Sequence, residues 1–247
     1  MEPSMYSPKN QLIPFYEAQL GTWQLKIERQ SFNNKELTKR FDQIAKKWHT
    51  MLQRLGYHTA YEDMWRRFFQ TDGLAFQEAK SMAVLDCGTG TGSFSAAFAR
   101  VWSGPIDLSG IDASQEMLWE AETRYSREGI TVDLRCADAS NLPYLDNEFD
   151  IVMTAHVLEH LPNPKKALKE LKRVLKPGGY LVIGATRDSL LGRYIHLKWR
   201  THLFTKTKLM SWIESVGLDV LDSDITLLGL FGRTSLVSIS QKPGASA

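Results

Sequence analysis

At 247 residues, 43% of them hydrophobic and 23% charged, the chain has the make-up of an ordinary globular protein, with enough length for one substantial core and a small appendage. Thirty Lys and Arg against 28 Asp and Glu leave a formal charge of +2, too little to make nucleic acid the expected partner. Met1–Asn10 is polar and holds two prolines, unlike a signal peptide, and no run of about 18 apolar residues is present to cross a bilayer. The two cysteines, Cys87 and Cys136, read as buried reduced thiols, which points to the cytoplasm.

Residues 1–80 read as a helical extension. Asn33-Asn34 marks a break, after which Phe41, Ile44, Trp48, Met51, Leu52 and Leu55 recur at helical spacing. Gly56 interrupts that stripe, and Tyr61, Met64, Trp65 and Phe68 continue it. From 81 to 247 the pattern changes to short strands alternating with amphipathic helices. Strands are expected at Met82–Asp86, Ile106–Asp112, about Thr131–Ala137, Phe149–Thr154 and Tyr180–Ala185, with helices at Ser93–Trp102, Ser114–Glu128 and Pro164–Leu175. Lys176-Pro177-Gly178-Gly179 stops the last of these helices. Such alternation makes a doubly wound α/β domain, a mostly parallel sheet with helices on both faces. The ending differs: a helix over Thr205–Val216 precedes two runs, Leu218–Thr226 and Thr234–Gln241, with no helix between them. So short a connection implies antiparallel pairing.

Between the first strand and first helix of this domain lies Val84-Leu85-Asp86-Cys87-Gly88-Thr89-Gly90-Thr91-Gly92. Glycines let the backbone leave the strand sharply and approach a ligand closely, and they deliver it to a helix N-terminus that favours anions. Asp86 can brace the loop and face a cationic group. Asp112 ends the next strand, 20 residues beyond Gly92, where an acidic side chain grips ribose hydroxyls in doubly wound folds. Loop and acid together point to an adenosine-containing ligand rather than a bare structural turn. The dinucleotide fingerprint would need glycine at 93, and the chain has Ser93.

The loop resembles the first motif of the class I S-adenosylmethionine-dependent methyltransferases. Gly110-Ile111-Asp112-Ala113-Ser114 with Met117-Leu118 resembles their second motif, and Cys136-Ala137-Asp138-Ala139-Ser140-Asn141-Leu142-Pro143 with Phe149-Asp150 their third. Val157-Leu158-Glu159-His160-Leu161-Pro162-Asn163-Pro164 and Leu175-Lys176-Pro177-Gly178-Gly179 complete a set similar to the branch that includes the ubiquinone and menaquinone biosynthesis methyltransferases. Upstream, Phe41-Asp42-Gln43-Ile44-Ala45 also resembles that branch, although Trp48-His49 stands where a Tyr-Asp pair is usual.

The resemblance implies a seven-stranded sheet in the order 3-2-1-4-5-7-6 with the last strand antiparallel. It also implies S-adenosylmethionine as cofactor, leaving as S-adenosylhomocysteine. Gly88, Thr89, Gly90 and Gly92 would pass under its amino-acid end, with Asp86 near the ammonium. Asp112, with Ala113 beside it, would take the ribose hydroxyls, and Met117 would pack on the adenine. Asp138 and the Ala139 N–H would meet the adenine edge, and Ala155 would lie beside the sulfonium.

Methyl transfer from a sulfonium needs alignment and exclusion of water more than a covalent nucleophile. The expected function is direct in-line transfer to a small-molecule acceptor, at carbon, nitrogen or oxygen. The rivals are a nicotinamide oxidoreductase, which Ser93 and the terminal hairpin disfavour, an RNA or protein methyltransferase, and a non-catalytic methyltransferase-like partner protein. His156, Glu159 and His160 form H-x-x-E-H, which could hold a metal if helical; no metal is expected. His156 is the candidate general base or acceptor-positioning group. An acceptor-side insertion, 188–204, carries basic and aromatic residues; Trp199 there, with Tyr16 and Trp48, is a candidate to close over a flat acceptor.

Overall fold

The computed structural model describes residues 12–70, 81–225, 227 and 234–244. The chain opens with strands β1 (Leu12–Leu20) and β2 (Trp23–Gln30), an antiparallel hairpin turned at Gly21-Thr22. This corrects the helical reading of the extension at its start. Trp23, Leu25 and Ile27 alternate with polar residues, the period of a strand, and a two-residue turn with glycine first is a common hairpin connection. Helices then follow as expected: α1 (Asn34–Arg54) and α2 (Tyr57–Gln70). Asn33 and Glu36 form a reciprocal capping box at the start of α1.

Next come β3 (Met82–Cys87), α3 (Ser93–Val101), β4 (Ile106–Asp112), α4 (Gln115–Glu128) and β5 (Asp133–Cys136). They are followed by β6 (Phe149–Ala155), α5 (Pro164–Val174), β7 (Leu175–Thr186), α6 (Leu190–Trp199), α7 (Lys206–Ser215), β8 (Asp219–Ile225) and β9 (Ser235–Gln241). Strands β3 to β9 make one sheet in the order β5-β4-β3-β6-β7-β9-β8. Counted from β3 as the first strand, this is the expected 3-2-1-4-5-7-6. The pairs from β5 to β7 are parallel, and β9 runs antiparallel to both of its neighbours.

Successive residues of the central strands serve opposite layers. Leu85, Val152, Leu181 and Ile183 join Leu168, Leu171, Phe204 and Ile213 in one core. Val84, Ile151, Met153 and Val182 join Trp65, Phe68, Phe98 and Tyr125 in the other. Trp65 of α2 is fully buried there and donates its indole N–H to the Phe94 carbonyl, 3.1 Å away, at the start of α3. Burying an aromatic of this size contributes on the order of 2–3 kcal/mol, so α2 is fixed firmly beside the helix that follows the glycine loop. Cys87 is buried as expected, whereas Cys136, at the end of the short strand β5, is exposed; both are free thiols. Among the described residues no helix is long and apolar enough to cross a membrane.

Candidate active site

The carboxyl ends of β3, β4 and β6 converge where the strand order reverses, the usual ligand crevice of an open α/β sheet. The glycine loop leaves β3 there and is tied to β4, because the N–H groups of Gly88 and Thr89 both donate to the Ile111 carbonyl at 2.8 Å. Gly88 has a φ of 75°, and a Cβ on it would overlap the Val157 side chain. At Gly92, φ 73°, an added Cβ would come within 2.6 Å of the Tyr125 ring. The backbone path is therefore open only to glycine at both positions.

Asp112 closes this arrangement. Its Oδ2 accepts from the Gly90 N–H and its Oδ1 from the Ser114 N–H, each at 2.9 Å. Burial lifts its pKa to about 6. Beyond it lie Ala113, Met117, Asp138 and Ala139, which together with Gly88, Gly90, Ala155 and His156 line an open pocket of about 810 Å³. The opposite wall is one face of α1, presenting Asn34, Leu37, Thr38, Phe41 and Trp48. Two hydrogen bonds pin that face down: Asn34 donates to Asp138 Oδ2 at 2.9 Å, and the Ser114 hydroxyl donates to Asp42 at 2.6 Å.

A smaller cavity adjoins it, lined by Trp48, Tyr61, Asp86, Thr89, Thr91, Ser93 and His156. Asp86 is buried, and burial raises its pKa to about 6. Its Oδ2 accepts from the hydroxyls of Thr89 and Ser95, and the Tyr125 hydroxyl hydrogen-bonds with both of those. It braces the turn, as its position at the strand end suggests.

His156 follows β6 with a φ of 58°, a conformation that costs a non-glycine residue on the order of 1 kcal/mol and marks functional sites. Three contacts hold it. Nδ1 faces Glu159 Oε1 and Thr186 Oγ1, both at 3.2 Å, and Nε2 faces Ser235 Oγ at 3.1 Å. Glu159 is fully buried and also accepts from the Thr186 N–H and hydroxyl. Burial alone would raise its pKa, but the hydrogen bond and charge of His156, with His160, hold it below the usual carboxylate value. His160 turns away from this pair. Its ring packs edge-on against Phe41 and Trp199, and burial pushes its pKa down to about 4. The H-x-x-E-H residues lie in a turn, so the two imidazoles do not share a helix face. Among the described residues no group of three or more His, Cys, Asp or Glu side chains is placed to hold a metal.

The structure thus brings Asp86, Gly88, Thr89, Gly90, Asp112, Ala113, Met117, Asp138, Ala139, Ala155, His156 and Trp48 to the two cavities. Gly92 caps α3 behind the loop and lines neither. Trp199 stands one layer back, stacked on Phe41 at 5.3 Å and edge-on to Trp48 at 6.4 Å. Tyr16 pairs with Ile27 across the hairpin; its side chain lies outside the described residues. Asn34, Asp42, Thr186 and Ser235 were not anticipated. Only Asp42 carried a signal, inside the upstream Phe41–Ala45 motif.

The pocket suits an adenosine-type cofactor. Asp112 offers acceptor oxygens beside a backbone cradle, and Met117 supplies an apolar wall. Residues 85–183 match a family model described as a methyltransferase domain. A ubiquinone/menaquinone biosynthesis C-methyltransferase of Bdellovibrio bacteriovorus is 37% identical over 100 residues, 40% of this chain and 42% of the relative. A demethylmenaquinone methyltransferase of Staphylococcus aureus is 34% identical over 161 residues, 64% of each chain. The chain spans about half the length of the curated relatives it matches. Among solved structures, a chain from the complex between the Haloferax volcanii Trm112 methyltransferase activator and a methyltransferase superposes with a TM-score of 0.68. That match covers 85% of this chain and 99% of the other at 17% identity, a likeness of fold.

Proposed function

We propose that the chain, whose residues 85–183 match a methyltransferase-domain model and which is similar to the ubiquinone and menaquinone branch, is a class I S-adenosylmethionine-dependent methyltransferase that methylates a small molecule in the cytoplasm. The observation that carries this reading is the Asp112 carboxylate held against the glycine loop, at the mouth of a pocket that also contains Met117 and Asp138. The name of the Bdellovibrio relative, a C-methyltransferase, makes carbon the first acceptor atom to test.

S-adenosylmethionine, when bound, supplies a methyl group on an electrophilic sulfonium. Asp112 would hold the ribose hydroxyls and Asp138 the adenine amino group, for which the Asn34 amide must share or yield its place. The acceptor would enter the part of the larger pocket beside Ala155 and His156, since Asp86, Thr89 and Gly90 of the smaller cavity belong to the cofactor's amino-acid end, and Trp48 and the α1 face would keep water from it. A carbon acceptor must lose a proton. His156 lines that space and is the candidate to take it through Nε2, once the Ser235 hydroxyl turns aside, while Glu159 holds Nδ1 in place.

Thermal melting tests the cofactor and a labelled methyl group tests the acceptor class. S-adenosylhomocysteine should raise the melting temperature by linkage and NAD should not. With radiolabelled cofactor and cell extract, label should enter a solvent-extractable product. Preferential stabilisation by NAD, or label confined to RNA or protein, would overturn the reading.

A further inference from the structure

The hairpin and α6 leave unusual surface uncovered. Trp23 is 79% exposed and Leu20, across the turn from it, 63%; on α6 Leu190 is 91% exposed. Tyr194 and Leu197 follow Leu190 at i+4 and i+7, so they make one exposed stripe. A two-stranded hairpin is marginal alone in water, and nearly every residue of β2 is exposed. The two elements meet, since Arg29 of β2 donates to the carbonyls of His196 and Leu197 on α6. Arg40 of α1 and Arg200 beyond α6 stand over the same Phe32 ring, at 4.0 and 4.7 Å.

The charge on this side is lopsided. Residues 20–54 carry eight Lys and Arg against three acids, and residues 188–214 carry five against two, Asp188 and Glu214, in a chain of formal charge +2. Of these acids, Glu36 caps α1, Asp42 is turned inward to Ser114, Glu28 pairs with Lys26 and Asp188 with Arg193, which leaves the other cations in excess. Exposed leucines, a tryptophan and a tyrosine set among cations match the chemistry of an interfacial membrane anchor, where apolar groups enter the acyl boundary and Lys and Arg meet anionic headgroups. Exposed leucine makes no hydrogen bond to a base edge and no ion pair with a phosphate, the contacts that dominate nucleic-acid recognition, which favours a lipid surface here. A projecting turn flanked by Leu20 and Trp23 suits entry into a fluid layer.

We propose that the β1–β2 hairpin and the exposed stripe of α6 dock the protein on the surface of an anionic lipid bilayer. The test is sedimentation of the full chain with vesicles of equimolar phosphatidylglycerol and phosphatidylcholine. Binding at least about tenfold stronger than to pure phosphatidylcholine vesicles, and weakened by salt, is expected. The double variant Trp23→Ser, Leu190→Ser should lose about tenfold or more while its melting temperature stays that of the parent. Absence of binding, equal binding to neutral vesicles, or binding that ignores the double substitution would overturn the proposal. A dimer in sedimentation velocity that the same substitutions break would assign the surface to a second copy and overturn it equally.

Discussion

Asp112 uses one carboxylate for two tasks. Its oxygens accept the Gly90 and Ser114 N–H groups, fixing the loop to the start of α4, and each oxygen keeps a further lone pair for a ligand hydroxyl. Asp112→Ala should therefore weaken S-adenosylhomocysteine by about 1.5–3 kcal/mol, the scale of hydrogen bonds to a charged group. Titration calorimetry measures this directly, and an unchanged affinity would remove Asp112 from the ribose. The acid was readable because a motif fixes its place at the end of a strand. Its bond to Gly90 was not, since spacing says nothing about which oxygen meets which amide.

At the scale of elements, α1 forms a wall that two side-chain bonds hold shut, Asn34 to Asp138 and Ser114 to Asp42. Each ends on a carboxylate and is worth about 1.5–3 kcal/mol. The variant Asn34→Ala, Asp42→Ala should speed S-adenosylhomocysteine release several-fold and raise amide exchange along α1, leaving the sheet amides protected. Stopped-flow release and hydrogen exchange check both, and unaltered rates would mean that packing of Phe41 and Trp48 alone holds the wall. The sheet order was legible because alternating strands and helices with a glycine loop admit few topologies. These bonds were not, because they join residues 104 and 72 positions apart. The hairpin escaped for a different reason: the alternation from Trp23 to Glu28 is short, and its partner strand Leu12–Leu20, which contains Pro14, shows no matching alternation. Helix α6 was hidden within a stretch notable for its cations, although Ser189 caps it and its apolar stripe has helical spacing.

Across the whole molecule, buried titratable groups set how stability responds to acid. Burial pushes His58, His160 and His202 each down to about 4, with Arg124 adding to the effect at His58 and Lys208 at His202. Unfolded, these imidazoles titrate near 6.5, so between pH 6.5 and 4 unfolding takes up protons and stability falls as pH falls. Asp86 and Asp112 oppose this. Lifted by burial from 3.8 to about 6, they favour the fold below 3.8 and lose that contribution as pH rises through 6. Three imidazoles outweigh two carboxylates. The melting temperature should drop from pH 6.5 to 4.5, with His58→Gln flattening the drop; a rise on acidification would show the carboxylates in control. The position of β9 has a consequence for synthesis. It follows β8 in the chain but lies between β7 and β8, with Val237 and Ile239 buried. While a ribosome is still making residues before 235, β7 has a bare apolar edge and β8 has no neighbour, an invitation to mispairing that a chaperone would have to mask. Ser235 sits on that strand, so the hydroxyl that steadies His156 reaches it only after the nascent chain has inserted β9 between its neighbours.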